Sequence, residues 1–389
     1  MQGSNSLLRT KLRPPFTRTE LVARPRLQEQ LARGLHSPLT LITAPAGFGK
    51  TTLVASTIGA SGMPVAWLSL DKNDNDVGRF LSYLIAALQE AEPTIGLQVA
   101  DLVGEAQQVP TEGILTRLVN DLDTIGRELA LVLDDYQFLN NQAVHQALTF
   151  LLEHCPQTLH LVIATRSDPP LPLARLRARG QTVELRADDL SFNQTEAGQF
   201  LNDVMGLDLD AGAVAALAER TEGWAAGLQM AALSMRHHED MPGFIEGFSG
   251  TNRYIMDYLL EEILAVQSPE LKRFLLVTSI LERLTAPLCD AILSGDGAPG
   301  EKDGNQGNSG ASPRIHSSAS TLAHLERANL FLVPLDDKRV WYRYHHLVAD
   351  WLQAQLRKTL GAQEVARLHV RAAEWHEKHG SLLEAIHHA

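Results

Sequence analysis

Residues 41–53 read LITAPAGFGKTTL. A short apolar run leads into a loop of small residues, and a helix-forming stretch begins at the Lys50-Thr51 pair. Small residues allow backbone N–H groups to turn inward around a phosphate, and the N-terminus of the following helix adds a partial positive charge. This order of strand, loop and helix predicts a phosphate-binding loop of the P-loop type.

Each position of this loop has an expected role. We expect Lys50 to reach the β- and γ-phosphates of a nucleotide and the Thr51 hydroxyl to ligate Mg²⁺. Ala44 stands where the motif usually has its first glycine, so it fits only if the backbone there is not left-handed. A Gly-rich turn with a chance Lys-Thr pair is the alternative, which the flanking strand and helix disfavour. The residues expected to surround the phosphates are Ala46, Gly47, Phe48, Gly49, Lys50, Thr51 and Thr52.

Two acidic residues follow the apolar run at residues 129–133. Ligands of open α/β folds bind at the carboxyl edge of the sheet, which is where Asp134 and Asp135 are expected to lie. Asp134 is the candidate for holding Mg²⁺ through its water shell, and Asp135 for positioning or activating the attacking water. A solvated turn after a buried strand would explain the pair equally well if it stood alone.

A third candidate follows the apolar run at residues 159–164, which ends in Thr165-Arg166. A cation beside the terminal phosphate would sense that phosphate or stabilise charge developing on it. An ordinary surface arginine at the end of a strand is the alternative.

The rest of the chain suggests several domains. Five short apolar runs alternate with helical stretches in the first half, which predicts an α/β domain with a mainly parallel sheet. Only helices are expected between residues 191 and 264, where Asn193 and Glu196 form a predicted capping box. A helix at 322–329 and strands at 330–334 and 340–344 are typical of a winged helix. The expected boundaries are a nucleotide-binding domain at 1–190, a helical domain at 191–264, a winged-helix domain at 265–358 with a disordered loop at about 294–320, and the start of a helical repeat at 359–389.

Composition excludes several classes of protein. Hydrophobic residues make up 44% and charged residues 21%, as in ordinary globular domains. No apolar run is long enough to span a membrane, and no secretion signal is recognisable at the N-terminus. Cys155 and Cys289 cannot build a disulfide framework, so a cytoplasmic protein is expected. The formal net charge of −12 argues against a protein that only binds DNA.

Five short motifs together resemble one family, the MalT-like branch of the STAND ATPases, which are relatives of the NB-ARC proteins. The resemblance extends over nearly the whole chain, from residue 7 onward. The motifs are APAGFGKTT at 44–52, LVLDDY at 131–136, ATR at 164–166, TEGWAAGL at 221–228 and YRYHHL at 342–347.

The resemblance implies a molecular switch with slow ATPase activity. A P-loop domain with a five-stranded parallel sheet in the order 5-1-4-3-2, a helical domain and a winged-helix domain would close around ADP in the resting state. Exchange for ATP with Mg²⁺ would open them and permit self-oligomerisation in response to an unknown inducer. Val22 and Arg24 resemble the stretch that holds adenine, mainly through its backbone. His345, or else His346, resembles the histidine that contacts the β-phosphate of ADP.

Departures from the family pattern leave alternatives open. Ala225 stands where many relatives have proline, and the chain ends before the repeat region and the helix-turn-helix usual in the family. No direct DNA binding is therefore expected from this segment. A DNA-binding winged helix would need a basic recognition helix, which residues 322–329 do not provide. A conventional P-loop ATPase or kinase would need an acceptor-substrate site, and none is recognisable. For His345, packing beside Trp341, Tyr344 and Trp351 is the physical alternative.

Overall fold

The computed structural model describes residues 7–16, 20–99, 110–235, 241–259, 267–294 and 317–389. The chain divides into two compact units, Met1–Ser191 and Phe192–Ala389.

The first unit contains a five-stranded parallel sheet. Its spatial order, β2-β3-β4-β1-β5, is the predicted 5-1-4-3-2 read from the other edge, so the predicted order is confirmed. Every residue of β1, β3 and β4 is buried, as expected of Leu-, Val- and Ile-rich strands covered on both faces. The strands are β1 (Leu39–Thr43), β2 (Val65–Ser69), β3 (Leu129–Asp134), β4 (Leu159–Thr165) and β5 (Thr182–Leu185).

Helices cover this sheet and bury apolar stripes against it. In α3, for example, Phe80, Leu84 and Leu88 follow helical spacing and have no exposed side-chain surface. Burying each such side chain contributes about 1.5–3 kcal/mol. The helices are α1 (Pro25–Gly34), α2 (Lys50–Ser61), α3 (Val77–Ala91), α4 (Thr111–Thr124), α5 (Gln142–Glu153), α6 (Leu173–Ala178) and α7 (Ala187–Leu190).

The second unit is mainly helical. The capping box between Asn193 and Glu196 is present, and Ser268 caps a helix whose first residue is Pro269, so both predicted helix starts are confirmed. A π-helical turn at Gln199–Val204 follows the first helix. The helices are α8 (Gln194–Gly198), α9 (Ala211–Thr221), α10 (Ala225–Met235), α11 (Met241–Gly247), α12 (Arg253–Leu259), α13 (Pro269–Thr278), α14 (Ala286–Leu293), α15 (Ser318–Arg327), α16 (His346–Thr359), α17 (Ala362–Lys378) and α18 (Leu382–His388).

An antiparallel hairpin follows α15. Its strands are β6 (Leu332–Pro334) and β7 (Tyr342–Tyr344), and Leu284 forms a further bridge to Tyr342. Helix, strand, turn and strand therefore occur in the predicted order, although both strands are shorter than expected.

The predicted end of the disordered loop was wrong. Residues 295–316 lie outside the described residues, but 318–320 form the first turn of α15. The Ser317 side chain accepts a hydrogen bond from the Ser320 N–H and so caps this helix, and Ser318 is buried. The serine-rich stretch that suggested a loop therefore supplies the N-cap and the first turn of α15.

Within the described parts of the chain, none of the helices combines the length and the apolar character that crossing a membrane would require.

Candidate nucleotide-binding site

The sheet order brings the predicted site residues of the first unit to one edge. Strand β4 pairs with β1 on one side and with β3 on the other, all parallel. The phosphate loop, the Asp134-Asp135 pair and Arg166 follow the carboxyl ends of these three strands. The loop is joined to β4 directly, since the Ala44 N–H donates to the Thr165 carbonyl oxygen at 3.3 Å. Open α/β folds bind ligands at this kind of edge.

The loop has the backbone that its glycines allow. Gly47 and Gly49 have φ angles of 79° and 76°, in the left-handed region where a side chain would be strained. Gly49 immediately precedes α2, so the loop turns directly into the helix N-terminus. Ala44 is not among the residues with positive φ, which meets the condition for an alanine at that position.

Lys50 is buried within its own loop. Lys50 is 8% exposed. Its Nζ donates to the carbonyl oxygens of Ala44 and Pro45, both at 2.8 Å. An ammonium group offers three donors and no acceptor, so phosphate oxygens would be natural partners for it.

Thr51 and Asp134 meet beside Lys50. The Thr51 hydroxyl donates to Asp134 Oδ1 at 3.0 Å, and the Asp135 N–H donates to the same oxygen at 3.1 Å. Burial, followed by the charge of Asp135, raises the pKa of Asp134 to about 6. Hydroxyl and carboxylate oxygens are ligands that Mg²⁺ accepts, and a cation would favour the ionised carboxylate. The donor set fits this metal.

Asp135 and Arg166 are joined through a residue that the sequence did not single out. Asp135 has a φ of 58°, and a 3₁₀ turn at Tyr136–Phe138 follows it. Gln137 Nε2 donates to Asp135 Oδ1 at 2.8 Å, and the Arg166 N–H donates to Gln137 Oε1 at 3.1 Å. The predicted water-positioning acid and the predicted sensor are therefore neighbours.

The residues predicted to hold adenine lie just before α1. Val22 is half-buried and Arg24 is buried. The Arg24 guanidinium donates to the carbonyl oxygens of Leu190 and Ser191, at 2.8 and 2.9 Å. The side chain thus holds the end of the first unit, and contacts to an adenine would fall to the backbone, as the resemblance implies.

His345 is buried in the second unit and is 4% exposed. Its Nε2 lies 3.0 Å from the Thr221 carbonyl oxygen. Because a carbonyl only accepts, Nε2 carries a proton, and in the neutral ring Nδ1 then carries none. This buried Nδ1 has no hydrogen-bond partner and lies 3.9 Å from Glu222 Oε1. Burial lowers the pKa of His345. The rings of Trp224 and Phe331 pack edge-on against it.

An ion pair lies beside this histidine. Glu222, at a φ of 50°, accepts from both terminal nitrogens of Arg343 at 2.8 Å and from the His346 N–H at 2.9 Å. Burial opposes the ionised form, yet the hydrogen bonds from Arg343 and the neighbouring charges lower the pKa of Glu222 to about 2. The pair links the segment after α9 to β7.

Glu222→Gln is expected to destabilise the protein by about 1–3 kcal/mol at pH 7. A lowered carboxyl pKa contributes stability that is complete above the ordinary value near 4.5 and is lost as the pH falls through about 2. Urea unfolding between pH 7 and pH 3 measures this difference, which should shrink below pH 4.5. Glu219→Gln, on an exposed position of α9, is the matched control and should have little effect. A Glu222→Gln deficit that stayed constant with pH would contradict this assignment.

Comparison with known proteins supports the family resemblance. Residues 260–364 match the MalT winged helix domain. The transcriptional regulator MalT of Klebsiella pneumoniae is 34% identical over 98% of this chain and 40% of its own length. The chain is a MalT-like P-loop core. The serine/threonine-protein kinase PknK of Mycobacterium tuberculosis is also 34% identical, over 98% of this chain and 33% of its own length.

A solved structure shares the fold of this MalT-like core. A Walker-type ATPase of Pyrococcus abyssi matches with a TM-score of 0.59 and 18% identity, covering 88% of this chain and 99% of its own. The MalT-like core spans about a third to two-fifths of the length of the curated relatives described above.

Three polar residues of the MalT-like core were missed by sequence reasoning. Glu222 and Arg343 lie inside the quoted TEGW and YRYHHL motifs, and Gln137 directly follows LVLDDY. Their presence in or beside those motifs was a signal, but their pairing depends on tertiary contacts.

Proposed function

We propose that the MalT-like core is an ADP/ATP switch that hydrolyses ATP slowly. The observation that carries this proposal is the 3.0 Å hydrogen bond from Thr51 to Asp134, which lies beside the buried ammonium of Lys50. At one edge of the sheet, the Lys50 ammonium can bind a phosphate, and the oxygens of Thr51 and Asp134 can bind a metal ion. Both groups are suited to a nucleoside triphosphate.

The residues divide the work as follows. The backbone of residues 46–52 and Lys50 bind the phosphates, and the backbone around Val22 and Arg24 contacts adenine. Thr51 and Asp134 hold Mg²⁺, which supplies positive charge to neutralise the phosphate oxygens. Asp135 orients the attacking water, and Arg166 lies toward the terminal phosphate.

The relatives favour a regulatory switch over a conventional P-loop enzyme whose function is to make a product. A protein named as a kinase and regulators of transcription share almost the whole of this chain, at the same identity. A module common to proteins with such different names is better suited to control than to one chemical output. We propose that ADP marks the resting state and that ATP, together with an inducer, permits opening and self-association in a regulator of transcription.

His345 provides the test of the resting state. We propose that this residue contacts the β-phosphate of ADP, which would require its bare Nδ1 to gain a proton or the ring to leave the Thr221 carbonyl. His345→Ala is then expected to weaken ADP binding at least about fivefold more than binding of a non-hydrolysable ATP analogue.

Calorimetric titration with each nucleotide measures this ratio. His346→Ala is the matched control. Its side chain is exposed and approaches Glu222 Oε1 only to 3.5 Å through Nδ1, and alanine keeps the hydrogen bond that the backbone N–H donates to Glu222. His345→Gln, which preserves more volume, guards against loss of folding. Equal losses for ADP and the analogue in both His345 variants would remove this role.

A further inference from the structure

The carboxamide of Gln137 lies between the ends of two neighbouring strands. It donates to the Asp135 carboxylate, which follows β3, and accepts from the backbone N–H of Arg166, which follows β4. The two contacts, at 2.8 and 3.1 Å, use both polar atoms of one side chain. Gln137 is therefore a direct bridge between two residues assigned to the terminal phosphate.

The orientation of this carboxamide is fixed by its partners. An ionised carboxylate only accepts and a backbone N–H only donates. Rotating the carboxamide by half a turn would place its oxygen against the Asp135 carboxylate and its NH₂ against the Arg166 N–H, which are two repulsive contacts. The Gln137 carboxamide therefore has one permitted orientation. A movement of Asp135 or of the Arg166 backbone is transmitted to the other residue through it.

The turn that carries Gln137 is itself anchored. The Tyr136 hydroxyl lies 2.7 Å from His145 Nδ1, both side chains being buried, and this contact ties the turn to α5. Asp135, with its left-handed backbone, sets the direction of the turn. Gln137 is consequently held by rigid elements on both sides, as a positioning residue must be.

We infer that Gln137 is a positioning residue for ATP hydrolysis that couples Asp135 to Arg166. This inference rests on the proposed function. In that reaction a water oxygen bonds to the γ-phosphorus while the bond to the β–γ bridging oxygen breaks. Asp135 accepts a water proton, and ADP leaves with the electron pair of the broken bond. Gln137 holds the Asp135 carboxylate at a fixed position relative to Arg166, at the end of β4, which faces the γ-phosphate.

The test compares three variants of the full chain. Gln137→Leu removes both hydrogen bonds, and Gln137→Glu keeps an acceptor for Arg166 but sets a second carboxylate against Asp135. Gln146→Leu, on an exposed position of α5, is the control. Gln137→Leu should lower the hydrolysis rate about tenfold or more and weaken binding of a non-hydrolysable ATP analogue about threefold. Its affinity for ADP should stay within about twofold of wild type.

The ratio of analogue affinity to ADP affinity is a readout that a merely structural role would not move. In Gln137→Glu the new carboxylate repels that of Asp135, so hydrolysis should fall at least as far as in Gln137→Leu. Wild-type rate and unchanged nucleotide preference in Gln137→Leu would overturn the inference, as would a wild-type rate in Gln137→Glu. Should wild-type protein bind nucleotide without measurable hydrolysis, the ratio of analogue to ADP affinity in Gln137→Leu decides. A wild-type protein that binds no adenine nucleotide would refute the proposed function itself.

Discussion

Lys50→Ala is expected to lower the affinity for magnesium-ADP by on the order of 100-fold or more. Truncating one partner of a buried, hydrogen-bonded charge pair costs about 2–5 kcal/mol, which corresponds to such factors. Lys50 is 8% exposed, and a phosphate bound in the loop would meet its ammonium away from bulk water. Equilibrium titration with ADP in the presence of Mg²⁺ measures the loss.

A matched lysine and a stability measurement separate binding from folding. Lys72 is exposed in the same unit, so Lys72→Ala should keep wild-type affinity. The nucleotide-free Lys50→Ala protein should still unfold cooperatively, at a somewhat lower temperature than wild type, because the buried Ala44 and Pro45 carbonyls lose a donor. Wild-type affinity in Lys50→Ala would contradict the assignment of the phosphate loop.

Asp134→Asn is expected to slow hydrolysis strongly and to stabilise the metal-free protein. Loss of the metal-binding charge should lower the hydrolysis rate by about 100- to 1,000-fold. The stabilisation has a different origin. Because burial and the Asp135 charge raise the pKa of Asp134 to about 6, ionising this group costs more in the folded than in the unfolded protein. Asparagine removes that cost, roughly 2–3 kcal/mol at pH 7.

The size of this effect depends on pH. In the folded protein Asp134 keeps its proton to a higher pH than its ordinary pKa of 3.8 would allow. The cost of ionising it on folding is therefore absent below pH 4 and complete above about pH 6. Thermal unfolding of the metal-free protein at pH 4 and pH 7 checks this, with the exposed Asp123→Asn as the control. An Asp134→Asn variant that is no more stable than wild type at pH 7, or that still hydrolyses ATP normally, would contradict the account.

The fold was predictable wherever sequence periodicity and local chemistry agree. The strands β1, β3 and β4 are continuous apolar runs, and their burial on both faces follows from that. The sheet order came from the family resemblance, since apolar runs carry no information about which strand pairs with which. Local composition failed at residues 318–320, because a serine-rich stretch suits both a loop and a helix cap.

The candidate site was predictable in its backbone and less so in its side chains. The positions of the phosphate loop and of Asp134 follow from the order of strand, loop and helix. The bridge made by Gln137 and the pairing of Glu222 with Arg343, 121 residues apart, depend on how distant turns meet. Arg24 illustrates the same limit, since its side chain binds the backbone of residues 190 and 191.

Titration of nucleotide-stripped protein with ADP in the presence of Mg²⁺ tests the central claim most directly. The account predicts that one ADP binds per chain, and that Lys50→Ala removes this binding while Lys72→Ala retains it. A properly folded wild-type protein that takes up neither ADP nor ATP would contradict it.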